Sequence, residues 1–369
     1  MKILRTLLRV LVGTVFIFSG FVKGVDPMGP VFRMEDYFLA FGISWADPAA
    51  VPLTIFLCAL EFLLGISLLF NLWIRMTSWF LLAMMAYFTV LTFFDAVYNL
   101  VPDCGCFGEV IKLSNVGTFL KNLVLMTMVI PVFLWRNKYR STLSVASESG
   151  LLALASVLFT GFSTVCLLHL PVVDFGDWQI GKHIGAGAEK QVPVYLTYRN
   201  ERTGETKEFL SPDYPCNDSL WMSEWTFVGQ RFDRSGEADA ILKIEDTSGN
   251  DLTHTLVIAP EYSFLLIAWD LDHANRQPMA EIQSLADSVS RFGYPFVCLT
   301  NAPAEDISRF QAETGLRMEF YNADDVVLKS MMRSNPGLIL LRNGEILRKW
   351  HYNDFPDWTQ VLETYLVPG

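Results

Sequence analysis

Residues 51–73 read VPLTIFLCALEFLLGISLLFNLW, an apolar run interrupted by one carboxylate, Glu61. About 20 consecutive apolar residues are what an α-helix needs to cross a bilayer. This run predicts a spanning helix, and four more stretches qualify beside it. The five run Leu7–Val22, Val51–Trp73, Thr77–Val97, Val116–Trp135 and Leu151–Leu170. The first follows Lys2, Arg5 and Arg9 like a signal peptide, but it lacks a small-x-small cleavage site and further spans follow it, so it reads as a retained helix.

Charge divides the 369-residue chain in the same place. Residues 1–170 carry 11 Lys+Arg against 9 Asp+Glu, whereas the remainder carries 17 against 30. A sparsely charged half joined to an acidic half reads as a membrane domain followed by a solvated one. The acidic half excludes nucleic acid as a partner, which needs a basic footprint. The lipid bilayer is the partner the first half demands. Placing the N-terminus in the cytoplasm puts Lys2, Arg5, Arg9, Arg75, Arg136, Lys138 and Arg140 inside and Lys23, Arg33, Lys112 and Lys121 outside. That bias favours the orientation. Five spans then put the C-terminal domain outside, in the periplasm of a bacterial inner membrane, where thiol chemistry is oxidising.

With this topology four cysteines gather toward the outer face: Cys104 and Cys106 in a loop, Cys58 about two turns into the second span and Cys166 near the end of the fifth. A Cys-x-Cys pair closes only a small, strained ring, and strain makes a disulfide more oxidising. Gly105 between them permits the bend. Redox chemistry, a structural staple and half of a metal site are all compatible with the pair, although two thiolates alone do not make a zinc site. Glu61 lies mid-membrane, where an acid is costly and usually functional. Cys58 is three residues earlier on the same helix face. Glu61 either manages protons beside that thiol or is a buried acid satisfied by Ser, Asn or Lys of a neighbouring helix. Asp95 and Lys121 near the ends of two spans are a candidate pair.

FSGFVKGVDP at 18–27, EFLLG at 61–65 and CGCFG at 104–108 together resemble the DoxX-like membrane proteins, and their MauE (methylamine utilisation) branch in particular, over about residues 1–140. The resemblance implies a thiol-redox module that helps disulfide formation or maturation of exported partners, distantly akin to quinone-linked thiol oxidases. It does not imply that methylamine is handled. The implied catalytic set is Cys104, Cys106, Cys58, Cys166 and Glu61, and the implied client is an exported or periplasmic protein. No cofactor is evident in the sequence itself, and a membrane quinone is the candidate electron acceptor. The alternative is a non-catalytic membrane scaffold.

Beyond a linker and fifth span (141–171) and a β-rich attachment region (172–237), strands and helices alternate. Strands are expected at Phe264–Trp269, Pro295–Leu299 and Met318–Tyr321, with helices at Pro278–Phe292, Ala304–Thr314 and Val326–Arg333. A hairpin of Gly337–Arg342 and Glu345–Trp350 turns at Asn343-Gly344, a strong turn signal. This order resembles the thioredoxin-like fold over 238–369, with Asn335-Pro336 at that family's cis-proline site and leading strands within Ala238–Thr255. The fold class is therefore multi-domain: an all-α transmembrane bundle of about five helices with a four-helix core, then an α/β thioredoxin-like domain. The family's Cys-x-x-Cys position falls at Trp269–Ala274, which holds no cysteine. His273 there reads as a surface residue, Cys298 as a buried core thiol and Cys216 as a loop thiol. A redox-inactive lobe that presents a partner follows from this.

Overall fold

The structure is a computed structural model that describes residues 2–101, 105, 108, 110–111, 113–139, 141, 143–184, 194–211, 213–215, 218–232 and 242–366. Cys104, Cys106 and Cys216 lie outside the described residues. The chain forms two compact units, residues 1–167 with 171–174, and residues 168–170 with 175–369.

The first unit is helical: α1 (Lys2–Val25), α2 (Met28–Ala40), α3 (Ala50–Phe70), α4 (Ile74–Tyr98), α5 (Asn115–Leu134) and α6 (Val145–Leu168). Five stretches are long and apolar enough to cross a membrane: α1, Ser44–Phe70 (which contains α3), α4, α5 and α6. Their flanks carry exposed Phe56, Phe80, Leu120, Val157 and Leu158. Such a broad apolar exterior is what a lipid-facing surface requires. Helices α1, α3, α4 and α5 build the core, which joins Val12, Leu64, Leu68, Leu81, Val129 and Val132. The crossing of α1 and α3 rests on glycine. A Cβ added at Gly20 would stand 2.7 Å from the Phe62 nitrogen, and one at Gly65 2.6 Å from the Ile17 nitrogen. Small residues at such positions let membrane helix backbones approach closely. Helix α6 packs through Phe159, which meets Cys58 and Ala59 and stacks on Phe62 at 4.7 Å. Between α1 and α3 the sequence predicts only a loop, whereas α2 fills it and buries Val31 and Phe38. Its 13 residues are too few to span and mix charge with apolar side chains.

The second unit holds two sheets. Strands β1 (Val194–Asn200), β2 (Thr206–Leu210) and β3 (Trp225–Phe232) form an antiparallel sheet in the order β2-β1-β3, with a short helix α7 (Ser219–Glu224). Its small core is aromatic, built from Tyr198, Tyr214, Trp221 and Trp225. The larger sheet contains β4 (Tyr262–Ile267), β5 (Phe296–Thr300), β6 (Glu319–Asn322), β7 (Gly337–Arg342) and β8 (Glu345–His351), in the order β6-β5-β4-β7-β8. Strand β4 is parallel to β5 and antiparallel to β7, and β6 is parallel to β5. It is buried along its whole length, the pattern of a central strand covered on both faces. One face packs on α8 (Met279–Arg291) and α9 (Ala304–Thr314), and the other on α10 (Asp325–Met331). The β7–β8 turn has positive φ at both Asn343 and Gly344, 47° and 85°, as the turn signal requires.

The leading strands expected within Ala238–Thr255 do not form over its described part. Glu245 makes isolated bridges to Asp251 and Asn322. The cause is local: Asp246 accepts hydrogen bonds from the Ser248 and Asn250 amides at 2.8 and 2.9 Å, closing a turn before a strand can extend.

Candidate functional site

Glu61 sits at the middle of α3 and is 5% exposed. Lys23 on α1 brings its Nζ to 2.8 Å from both carboxylate oxygens. Ser19, one turn earlier on α1, donates from its hydroxyl to Oε2 at 2.9 Å. The Lys23 ammonium also lies 5.8 Å from the centre of the Phe88 ring, within cation–π range. The lysine is itself buried. Two charges at this depth persist because they cancel and because hydrogen bonds occupy the carboxylate.

Beside Glu61 is a cavity of about 30 Å³. Ser19, Glu61, Lys121 and Asn122 give it polar lining, and Met85 and Phe88 give it apolar walls. Asn122 donates to the Thr92 hydroxyl at 3.1 Å. Further along the same end of the bundle, the Tyr37 hydroxyl of α2 donates to Asp95 Oδ2 at 2.5 Å, and Asn115 donates to the Val101 carbonyl at 3.0 Å. The opposite end is lined by Leu64, Leu68, Leu81, Val129 and Val132. The end of the core toward α2 thus carries Thr92, Asp95, Asn115 and Asn122, whereas the other end is mainly leucine and valine with Ser67, Thr77 and Ser78 also buried there.

Of the cysteines the sequence singles out, Cys58 is 3% exposed, one turn from Glu61 on α3 and in contact with Phe159. Cys166 is as deeply buried on α6. It stands seven residues beyond Phe159, about 10 Å along the helix axis. The structure places Cys58 beside the ion pair and leaves Cys58 and Cys166 as separate free thiols. Sequence reasoning named Ser, Asn or Lys as partners for Glu61 by type, and the fold supplies Ser19 and Lys23. Lys23 carried no signal of its own beyond its place in the FSGFVKG stretch. Tyr37 had none, because its helix was not expected.

In the second unit the turn after β4 runs Trp269–Ala274 and contains no thiol. Asp270 organises it, accepting from the Asp272 and His273 amides at 3.0 and 3.1 Å and contacting His273 Nδ1 at 2.8 Å. The imidazole is exposed. Asn335, joined to Pro336 by a cis peptide bond, donates to the Asp270 carbonyl at 2.6 Å. Cys298 lies inside β5, fully buried, and burial pushes its thiol up.

Five membrane-capable helices around a buried ion pair define a multi-pass membrane protein. Residues 1–136, which hold α1 to α5 and the Cys-Gly-Cys loop, match the family model of methylamine utilisation protein MauE. Neither a curated protein nor a solved structure matches the chain.

Proposed function

We propose that the protein is a membrane thiol-redox or maturation factor that supports disulfide exchange in, or assembly of, exported partners. The observation that carries this is a buried thiol, Cys58, one turn from the Lys23–Glu61–Ser19 centre, within the stretch similar to MauE. A polar, ionisable environment inside the membrane is where proton-coupled thiol chemistry is feasible. In this reading a Cys104–Cys106 disulfide oxidises a client dithiol, taking its two electrons and becoming a dithiol in turn. Mixed disulfides with Cys58 or Cys166 pass the pair onward. A membrane quinone accepts two electrons and two protons. The matched family's name refers to methylamine utilisation, and we carry over its membrane role rather than that substrate.

The five-stranded lobe is thioredoxin-like in this reading. Its strand order, the antiparallel β7 and the cis Pro336 next to the 269–274 turn support it. The same reading divides the chain at 1–140, 141–171, 172–237 and 238–369. The DoxX relationship rests on the FSGFVKG, EFLLG and CGCFG stretches. The seven-to-four charge bias supports a cytoplasmic N-terminus and a periplasmic lobe.

Thiol trapping in intact cells tests the proposal. Cys104 and Cys106 are expected to shift between dithiol and disulfide under reducing and oxidising challenge. A pair that stays in one state through both refutes it. A second reading, a scaffold that presents a redox-inactive lobe, is favoured by the absence of cysteine from the 269–274 turn. Full complementation by a Cys104→Ala/Cys106→Ala variant selects the scaffold.

A further inference from the structure

The cavity beside Glu61 is lined by both charge signs, Glu61 and Lys121. Its volume of about 30 Å³ exceeds the 10–15 Å³ that one water molecule needs, so about two fit at most. Buried water also needs two to four polar partners. Glu61, Ser19, Lys121 and Asn122 provide them. A dry state would leave the polar lining unsolvated. From here, toward the end of the bundle that carries α2, the interior stays polar through Thr92, Thr118 and Asn115, each at most 2% exposed. In the other direction the interior next to the cavity is mainly apolar, with Phe16, Leu64 and Leu125.

We propose that this cavity is a water-binding site through which the Glu61 carboxylate exchanges protons with the polar end of the bundle. A hydronium ion in the cavity transfers one proton to a Glu61 oxygen and is left as water, and the reverse step returns it. The charged groups facing Glu61 are Lys23 from α1 and Lys121 across the cavity on α5. Its own helix adds Cys58, one turn away. Lys23 and Ser19 hold the carboxylate in place, and the carboxylate also lines the cavity. The inference stands on the cavity alone and does not require thiol exchange.

Radiolytic footprinting of the full chain in lipid nanodiscs tests the water. Met85 lines the cavity and is 3% exposed, whereas Met84 is 8% exposed and does not line it. Water lodged in the cavity oxidises Met85 severalfold faster than Met84, an order that exposure alone would reverse. Equal labelling, or faster labelling of Met84, overturns the proposal. Asn122→Leu, which fills the cavity and spares the ion pair, is expected to abolish the excess at Met85. Infrared difference spectra in H₂O and D₂O then test the proton. A carboxyl band that titrates, shifts in D₂O and is lost in Glu61→Gln supports the exchange. A Glu61 signal that does not respond to pH or D₂O overturns the exchange step even where Met85 is labelled. Neither readout depends on the state of Cys104 and Cys106, so failure here is distinguishable from failure of the thiol mechanism.

Discussion

Replacing Lys23 by methionine keeps the length of the side chain and removes the charge. It deletes both 2.8 Å contacts to Glu61 and leaves the Ser19 hydroxyl donating to a buried carboxylate. Removing one partner of a buried ion pair costs about 3–5 kcal/mol, because the other charge stays behind without water. An isolated acid at the centre of a spanning helix costs about 3 kcal/mol on insertion scales, which sets the same range independently. Glu61→Gln alone leaves a buried ammonium and is expected to lose a similar amount. The double variant Lys23→Met/Glu61→Gln has no buried charge. It is expected to lose about 2–3 kcal/mol less than the sum of the single losses, the coupling typical of contacting residues. Denaturant unfolding in mixed micelles, followed by tryptophan fluorescence, reads all four proteins. Single losses that add to within about 0.5 kcal/mol of the double refute the reasoning, since that is how independent sites behave.

Gly65→Ala places a methyl group 2.6 Å from the Ile17 nitrogen, and backbone cannot yield as a side chain does. A loss of about 1–3 kcal/mol is expected from overpacking, with α1 and α3 forced apart, readable by the same unfolding assay. Asp324 caps α10, accepting from the Val327 amide at 3.1 Å, and also receives the Ser211 hydroxyl. Burial raises its carboxyl above the usual range, while those hydrogen bonds pull the other way. A raised folded-state value means the ionised form is penalised, so its contribution to stability grows as pH falls through that value and is lost as pH rises. Asp324→Asn retains the cap acceptor and is expected to flatten this slope between neutral pH and the carboxylate range. An unchanged slope in unfolding scans sinks the assignment. Cys298, fully buried and held protonated, is expected to resist iodoacetamide in the native protein and to react only on unfolding. Labelling at the native rate of an exposed thiol contradicts its place in β5.

The spans were legible because hydropathy over about 20 residues is a strong signal, and their ends were not. Helix α1 begins at Lys2 rather than Leu7, because Lys2, Arg5 and Arg9 extend the helix with aliphatic stems that hydropathy counts only as charge. Helix α6 begins at Val145, where Ser147 and Glu148 interrupt the apolar window but not the backbone. In the second unit Ala304–Thr314 and Gly337–Arg342 fall where the pattern places them, since a proline before each and a glycine or Asn-Gly after each fix the ends. The candidate site was half legible. Glu61 stands out in an apolar run, but its partners depend on how α1 crosses α3, a tertiary fact carried by Gly20 and Gly65. Lys23, near the last turn of α1, counted only as an outer charge until the crossing brought it to Glu61.

The unequal halves of the four-helix core have an energetic meaning. Hydrogen bonds between membrane helices contribute only about 0.6 kcal/mol each on average. The polar half, with Thr92, Asp95, Asn115 and Asn122, is therefore a poor way to hold helices together. The other half does that mainly with Leu64, Leu68, Leu81, Val129 and Val132, and its buried hydroxyls, Ser67, Thr77 and Ser78, are hydrogen-bonded locally. Departures from the stabilising pattern concentrate where function is carried. At the end of the bundle toward α2 the departure includes an ion pair, a cavity and a thiol. The second unit buries ionisable groups as well, Asp324, Lys349 and His351, beside a sheet that is covered on both faces. In the membrane half the cost of burying charge is met by pairing Lys23 with Glu61.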